Sequence, residues 1–163
     1  MTTGYPILEQ IAQAIQASLE EVTTDNDYQQ TINVVRADML GKNWTPTNLT
    51  CLLEIGEPER NEEYEYHAHP HINGWDQPFV IKLWTRLSET DPTPMQQAAA
   101  VVKADIIVAL TDTDNGWETW GNIAMFSDVS DWRDTQADDG SIVSELTVTV
   151  AYRTPFNDPY TAA

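Results

Sequence analysis

Apolar residues return every three or four positions near the start of the chain: Ile7, Ile11, Ile15, Leu19 and Val22, with Leu8 and Ala12 widening the stripe. That period predicts an amphipathic helix from Pro6 to Val22. Glu9, Gln10, Gln13 and Gln16 fall on the other side, so one face is buried and the other wet. Pro6 suits the first turn, where its missing N–H costs nothing, and Thr23-Thr24-Asp25-Asn26-Asp27 stops the helix. A second helix is predicted from Pro94 to Leu110. Thr93 and Gln96 have capping-box spacing, Pro94 takes the first helical position, and Met95, Ala98, Ala99, Val102, Ile106, Ala109 and Leu110 mark the buried face. The turn Asp112-Thr113-Asp114-Asn115-Gly116 follows it.

Elsewhere the period shortens to two, the signature of strands. Five runs show it: Thr31 to Asp38, Leu49 to Ile55, Phe79 to Ser88, Asn122 to Asp131 and Ile142 to Arg153. The last is the strongest, with Leu146, Val148, Val150 and Tyr152 opposite Glu145, Thr147 and Thr149. Helices do not alternate with every strand. The expectation is therefore an α+β fold, a mostly antiparallel sheet packed by an N-terminal helix and one long central helix, in a single domain over residues 1–163. The core is expected to join Leu146, Val148 and Val150 to Val102 and Ile106.

Two stretches lie outside that scheme. Residues 56–77 are long for a plain connection, and within them Tyr64, Tyr66 and Ala68 alternate with Glu63, Glu65, His67 and His69. This predicts an extended hairpin arm at about 57–72, projecting past the core with its aromatics on one face. The tail, 154–163, is too rich in proline for regular structure but keeps Phe156 and Tyr160, as a segment lying on a surface would.

Composition narrows the function. The 163 residues carry 8 Lys and Arg against 26 Asp and Glu, a net charge of −18. That surface repels phosphate backbones and anionic lipid, which excludes nucleic-acid binding through a basic patch and attachment to an acidic membrane. No apolar run nears the ~20 residues of a membrane helix, and MTTGYPILEQ lacks the basic and apolar regions of a signal peptide. Without such a signal the sequons Asn43-Trp44-Thr45 and Asn48-Leu49-Thr50 read as chance matches. Cys51 is alone and sits in an apolar strand, the setting of a buried structural thiol.

The sharpest chemical constellation is His67-Ala68-His69-Pro70-His71. Alternate residues of a strand share a face, so three imidazoles would point one way, as ligands of a transition metal do. A cupin-like site also needs a carboxylate soon after the His pair and a further His downstream. The chain has only these three histidines, and Pro70 interrupts strand pairing. Polar residues on an exposed arm are the plainer account. The Asp112–Gly116 run misses calcium-loop spacing, and there is no nucleophile elbow, phosphate loop or dinucleotide fingerprint. No catalytic, cofactor-binding or metal residue is assigned, and no cofactor is expected. Trp75, Trp117 and Trp120 lie in polar, turn-like sequence and suit an interface.

Taken in order, several features resemble the tail terminator (tail completion) proteins of long-tailed bacteriophages. They are the helix Pro6 to Val22, the arm between two early strands, the strand entry Trp75-Asp76-Gln77-Pro78-Phe79-Val80-Ile81, the single long helix Pro94 to Leu110, and Leu146-Thr147-Val148-Thr149-Val150-Ala151-Tyr152-Arg153 followed by Asp158-Pro159-Tyr160. The resemblance spans nearly the whole chain and rests on element order. It implies a structural protein of the virion tail, made in the host cytoplasm and not an enzyme. It would form a homo-oligomer, a hexameric ring that caps the tail tube, stops its polymerisation and meets the head-to-tail connector or neck protein. DNA would pass through the lumen without specific binding, and the acidic composition agrees with that. Two acidic runs are candidates to face the lumen, Glu57, Glu59, Glu62, Glu63 and Glu65, and Asp128, Asp131, Asp134, Asp138 and Asp139; keeping the subunit soluble before assembly is the other use of this charge. A phage neck or tail-tube protein is the alternative within this class. A small metal-binding enzyme using His67, His69 and His71 is the alternative outside it.

Overall fold

The computed structural model describes residues 4–86, 94–112, 114 and 116–163. Helix α1 (Ile7–Glu20) precedes strands β1 (Asn33–Arg36), β2 (Thr50–Ile55), β3 (Glu59–Arg60) and β4 (Ile72–Thr85). Helix α2 (Met95–Leu110) then leads to β5 (Phe126–Val129), β6 (Arg133–Gln136) and β7 (Ile142–Pro155). The strands form one sheet in the order β1-β2-β4-β7-β5. Among the described residues only β1 and β2 run parallel. The fold is α+β with a mostly antiparallel sheet, an N-terminal helix and a central helix, as the hydrophobic periods predict.

The spine is a two-stranded ribbon. β4 and β7 pair over all 14 residues, from Ile72 opposite Pro155 to Thr85 opposite Ile142. At about 3.4 Å per residue it is roughly 45 Å long. β2 covers one flank of one half, along Phe79–Trp84, and β6 covers the other flank there, along Ile142–Glu145. Towards the opposite end β3 borders β4 at Trp75 and Asp76, and β5 borders β7 along Val148–Ala151.

Both helices pack on one face. Ile7, Ile11, Ile15 and Leu19 of α1 and Val102, Ile106, Ala109 and Leu110 of α2 are closed to solvent. They share one cluster with Cys51, Leu53, Phe79, Ile81, Leu83, Leu146, Val148 and Val150. Burial pushes the Cys51 thiol up to about 12, the chemistry of an inert structural group. On the sheet's other face Lys82 pairs with Glu54 at 2.9 Å, and Trp84 meets Trp44 edge-on, ring centroids 6.0 Å apart. Arg36, its side chain 3% exposed, pins α1 to β1: its guanidinium donates to both oxygens of Glu9, at 2.6 and 3.0 Å, and to Asp38.

Several local expectations shift. Both helices start one residue after their prolines, and each proline carbonyl accepts the first helical bond, Pro6 from Gln10 and Pro94 from Gln97 and Ala98. Thr93 of the expected capping box, and Leu87 and Ser88 of the expected strand, lie outside the described residues. Trp120 is 3% exposed and donates to Ser127 Oγ, so it serves the interior rather than an interface, while Trp75 and Trp117 are half-buried with one side against the core. In a chain this small, local polar sequence does not stop a large ring from closing over the core edge.

Candidate interaction surface

The arm of residues 57–72 starts as a strand and then leaves that geometry. After β3, Asn61 accepts the Glu63 N–H through its side chain and sets a 3-10 turn over Glu62–Tyr64. The alternation read over 62–71 is therefore not that of a continuous strand. Only Tyr66 and Ile72 pair across the tip. The turn folds back over the sheet at Gly74. A Cβ placed on Gly74 would lie 2.4 Å from Tyr64 Cβ and 2.7 Å from the Asn61 carbonyl, so glycine is what lets the arm approach this closely. Asn61 fixes the contact by donating its N–H to Gly74 O at 3.0 Å and its amide to Asp76 at 2.7 Å.

This brings distant aromatics together. Tyr64 meets Phe126 of β5 edge-on, centroids 5.6 Å apart. His71 lies 5.1 Å from His67 and 5.2 Å from Phe156, which follows β7 and donates its N–H to His71 O. Three large rings stay open to solvent here: Tyr66 54%, Phe126 45% and Phe156 57% exposed. The tail continues from Phe156 across the molecule, where the Pro159 carbonyl accepts the Ile7 N–H at the start of α1.

The charge of this end differs from the rest. Residues 66–75, 119–127 and 151–157 converge on it and contain no Asp or Glu, yet they hold all three histidines and Arg153. The nearest carboxylate of the arm, Glu65, is enclosed, with 2% of its side chain exposed, and pairs with Arg60 and, at 3.3 Å, with His67 Nε2. The Arg60 guanidinium holds the Glu65 carboxyl below the usual carboxylate range.

The three histidines do not share a strand face. His67 and His71 come together through the arm's return, and His69 occupies the exposed tip. Among the described residues no three His, Cys, Asp or Glu side chains are grouped as metal ligands would be. The two acidic runs separate as well. Glu57 to Glu65 border β4, and Asp128 to Asp139 border β7, on opposite flanks of the ribbon. Of the second run, Asp134 is held by Lys103 at 2.8 Å and Asp139 by the Ser141 hydroxyl at 2.6 Å.

Sequence reasoning missed Phe126 as a member of this candidate surface. The available signal was the lack of carboxylates over three separate stretches of an acidic chain, which acquires meaning only once β4, β5 and β7 are paired. No protein-family model matches the chain, and neither does any curated protein.

Proposed function

We propose that this protein is a structural assembly protein, a ring-forming cap of a phage tail tube. The observation that carries the reading is the group of exposed aromatic rings on and beside the arm of a chain whose net charge is −18. Tyr66 on the arm, Phe126 against Tyr64 and Phe156 against His71 are exposed rings of the kind that protein contacts use. The succession of N-terminal helix, arm, central strand, long helix and long final strand supports the resemblance to tail terminators. On this reading six copies surround one axis, the ring stops addition of tail-tube protein, and its other face receives the head-to-tail connector or neck protein.

The acidic surface then lines or approaches the DNA channel. Because the two acidic runs flank the ribbon on opposite sides, only one of them faces the axis. The freer carboxylates are Glu57, Glu59, Glu62 and Glu63 on one flank and Asp128, Asp131 and Asp138 on the other. The test is growth of tail tubes from the cognate tube protein with and without this chain. Tubes that stop early and carry a ring at one end support the reading. Tubes of unchanged length with bare ends overturn it.

A further inference from the structure

We propose that the outward face of α2 is where two copies of this chain meet, their helices antiparallel and centred on Ala104. Of the 16 residues of Met95–Leu110, only Gln96, Gln97, Lys103 and Asp105 are polar. Both charges are engaged within the chain: Lys103 pairs with Asp134 at 2.8 Å, and Asp105 accepts the Gln29 N–H at 2.9 Å. Ala99, Val102, Ile106, Ala109 and Leu110 are buried on the core side. The opposite side is apolar too. Ala100, Ala104 and Val108 are exposed, and an open groove beside them is lined by Ala100, Lys103, Ala104, Ile107, Val108 and Trp132. A helix apolar on all sides belongs in an interior, and the outer half of this one has none within its own chain.

Two features select a second copy as the occupant. The first is shape. Ala100, Ala104 and Val108 follow one another at i, i+4 and i+8, small at one end and bulky at the other. An antiparallel pair centred on Ala104 sets Val108 of each copy on Ala100 of the other, twice by symmetry, and the alanines let the two backbones approach. The second is charge. At −18 per chain, two copies repel wherever they meet through carboxylates, and this stripe has none. A cationic partner would gain nothing from it and would choose the acidic flanks instead. Antiparallel helices also set each positive N-terminal end beside the negative C-terminal end of the other. A contact through the same face closes after two copies, so it stands apart from the ring reading, and a ring needs a different surface.

Cysteine cross-linking of the purified full chain tests the geometry, and Cys51, closed to solvent, stays out of the reaction. Ala100, Ala104 and Val108 are exposed, so their variants should melt with the wild type. Ala104→Cys should oxidise to a covalent dimer, because the two-fold axis brings position 104 against itself. Val108→Cys alone should link at least about tenfold more slowly, since the two copies of position 108 then lie roughly 12 Å apart along the pair, too far for a disulfide. Mixed with Ala100→Cys, it should link as fast as Ala104→Cys. Sedimentation equilibrium gives the second reading. The wild type should approach twice the monomer mass as concentration rises, and should associate more tightly in added salt, which screens the repulsion. Ala104→Glu should associate at least about thirty-fold more weakly, the loss of a hot-spot contact. Val108→Cys linking as fast as Ala104→Cys, Ala104→Glu sedimenting like wild type, or a wild type that stays monomeric at every concentration would each overturn the proposal.

Discussion

Gly74→Ala should loosen the arm while leaving the core untouched. Two effects oppose each other. Glycine inside a strand costs roughly 0.5–1 kcal/mol relative to alanine through its unfolded-state freedom, so the substitution alone would stabilise. Against this stands the added Cβ, 2.4 Å from Tyr64 Cβ, 2.7 Å from Asn61 O and 3.0 Å from the Tyr64 carbonyl carbon. Two of these are backbone atoms and cannot rotate away. Overpacking of this kind costs about 1–3 kcal/mol, and relief by lifting the arm sacrifices the Asn61–Gly74 and Asn61–Asp76 hydrogen bonds. The clash wins by about 1–2 kcal/mol, which in a chain of this size lowers the melting temperature by roughly 2–8 °C. Gly41→Ala, with nothing within 4 Å of the new Cβ, is the control and should melt at or slightly above wild type, because only the unfolded-state term acts there. Calorimetry reads the shift, and hydrogen exchange should show lost protection at the Asn61 and Tyr66 amides. A Gly74→Ala protein that melts like wild type and keeps both amides protected would refute the docked arm.

Three further outcomes are expected. Val148→Asp places an unpaired carboxylate where exposure is 0%, a cost of several kcal/mol that should leave little soluble, folded protein; normal circular dichroism and solubility would show that the wrong sheet face is taken as buried. Hydrogen bonding to Arg36 lowers the Glu9 carboxyl below its ordinary value of 4.5, so this pair stabilises the fold above that value and the contribution is lost as pH falls through the lower, folded one; Glu9→Gln should weaken the fold at neutral pH and flatten its acid dependence, and parallel denaturant titrations of both proteins over pH 2 to 6 would contradict this if their curves stayed equally spaced. Changing Asp128, Asp131 and Asp138 to Lys, or Glu57, Glu59 and Glu62 to Lys, should slow DNA release from assembled particles for one set only; equal release kinetics in low salt would remove the lumen role and leave solubility as the use of the charge.

The fold was largely legible because its core elements obey clean periods. Ile7, Ile11, Ile15 and Leu19 repeat at helical spacing, and Leu146, Val148 and Val150 alternate, and all seven are buried in one cluster. β6 was not legible: Arg133–Gln136 is exposed throughout and forms only because β7 offers it an edge. The arm misled for a related reason. Its alternation of Tyr and Glu imitates a strand, but Asn61 and Gly74 fold it back, and the partner of Gly74 is not visible from spacing alone. The candidate surface was half legible. Tyr66 and Phe156 stand out as aromatics in polar surroundings, whereas Phe126 joins them only through pairing of β5 with β7. Trp120 shows the converse, a ring in turn-like sequence that the fold swallows.

The central claim is placement in a particle, and electron cryomicroscopy of whole phage particles carrying this chain tests it most directly. The account predicts one ring of six copies between the last tail-tube ring and the head connector. Density for the chain at any other place in the particle, or particles that contain none of it, would contradict the account.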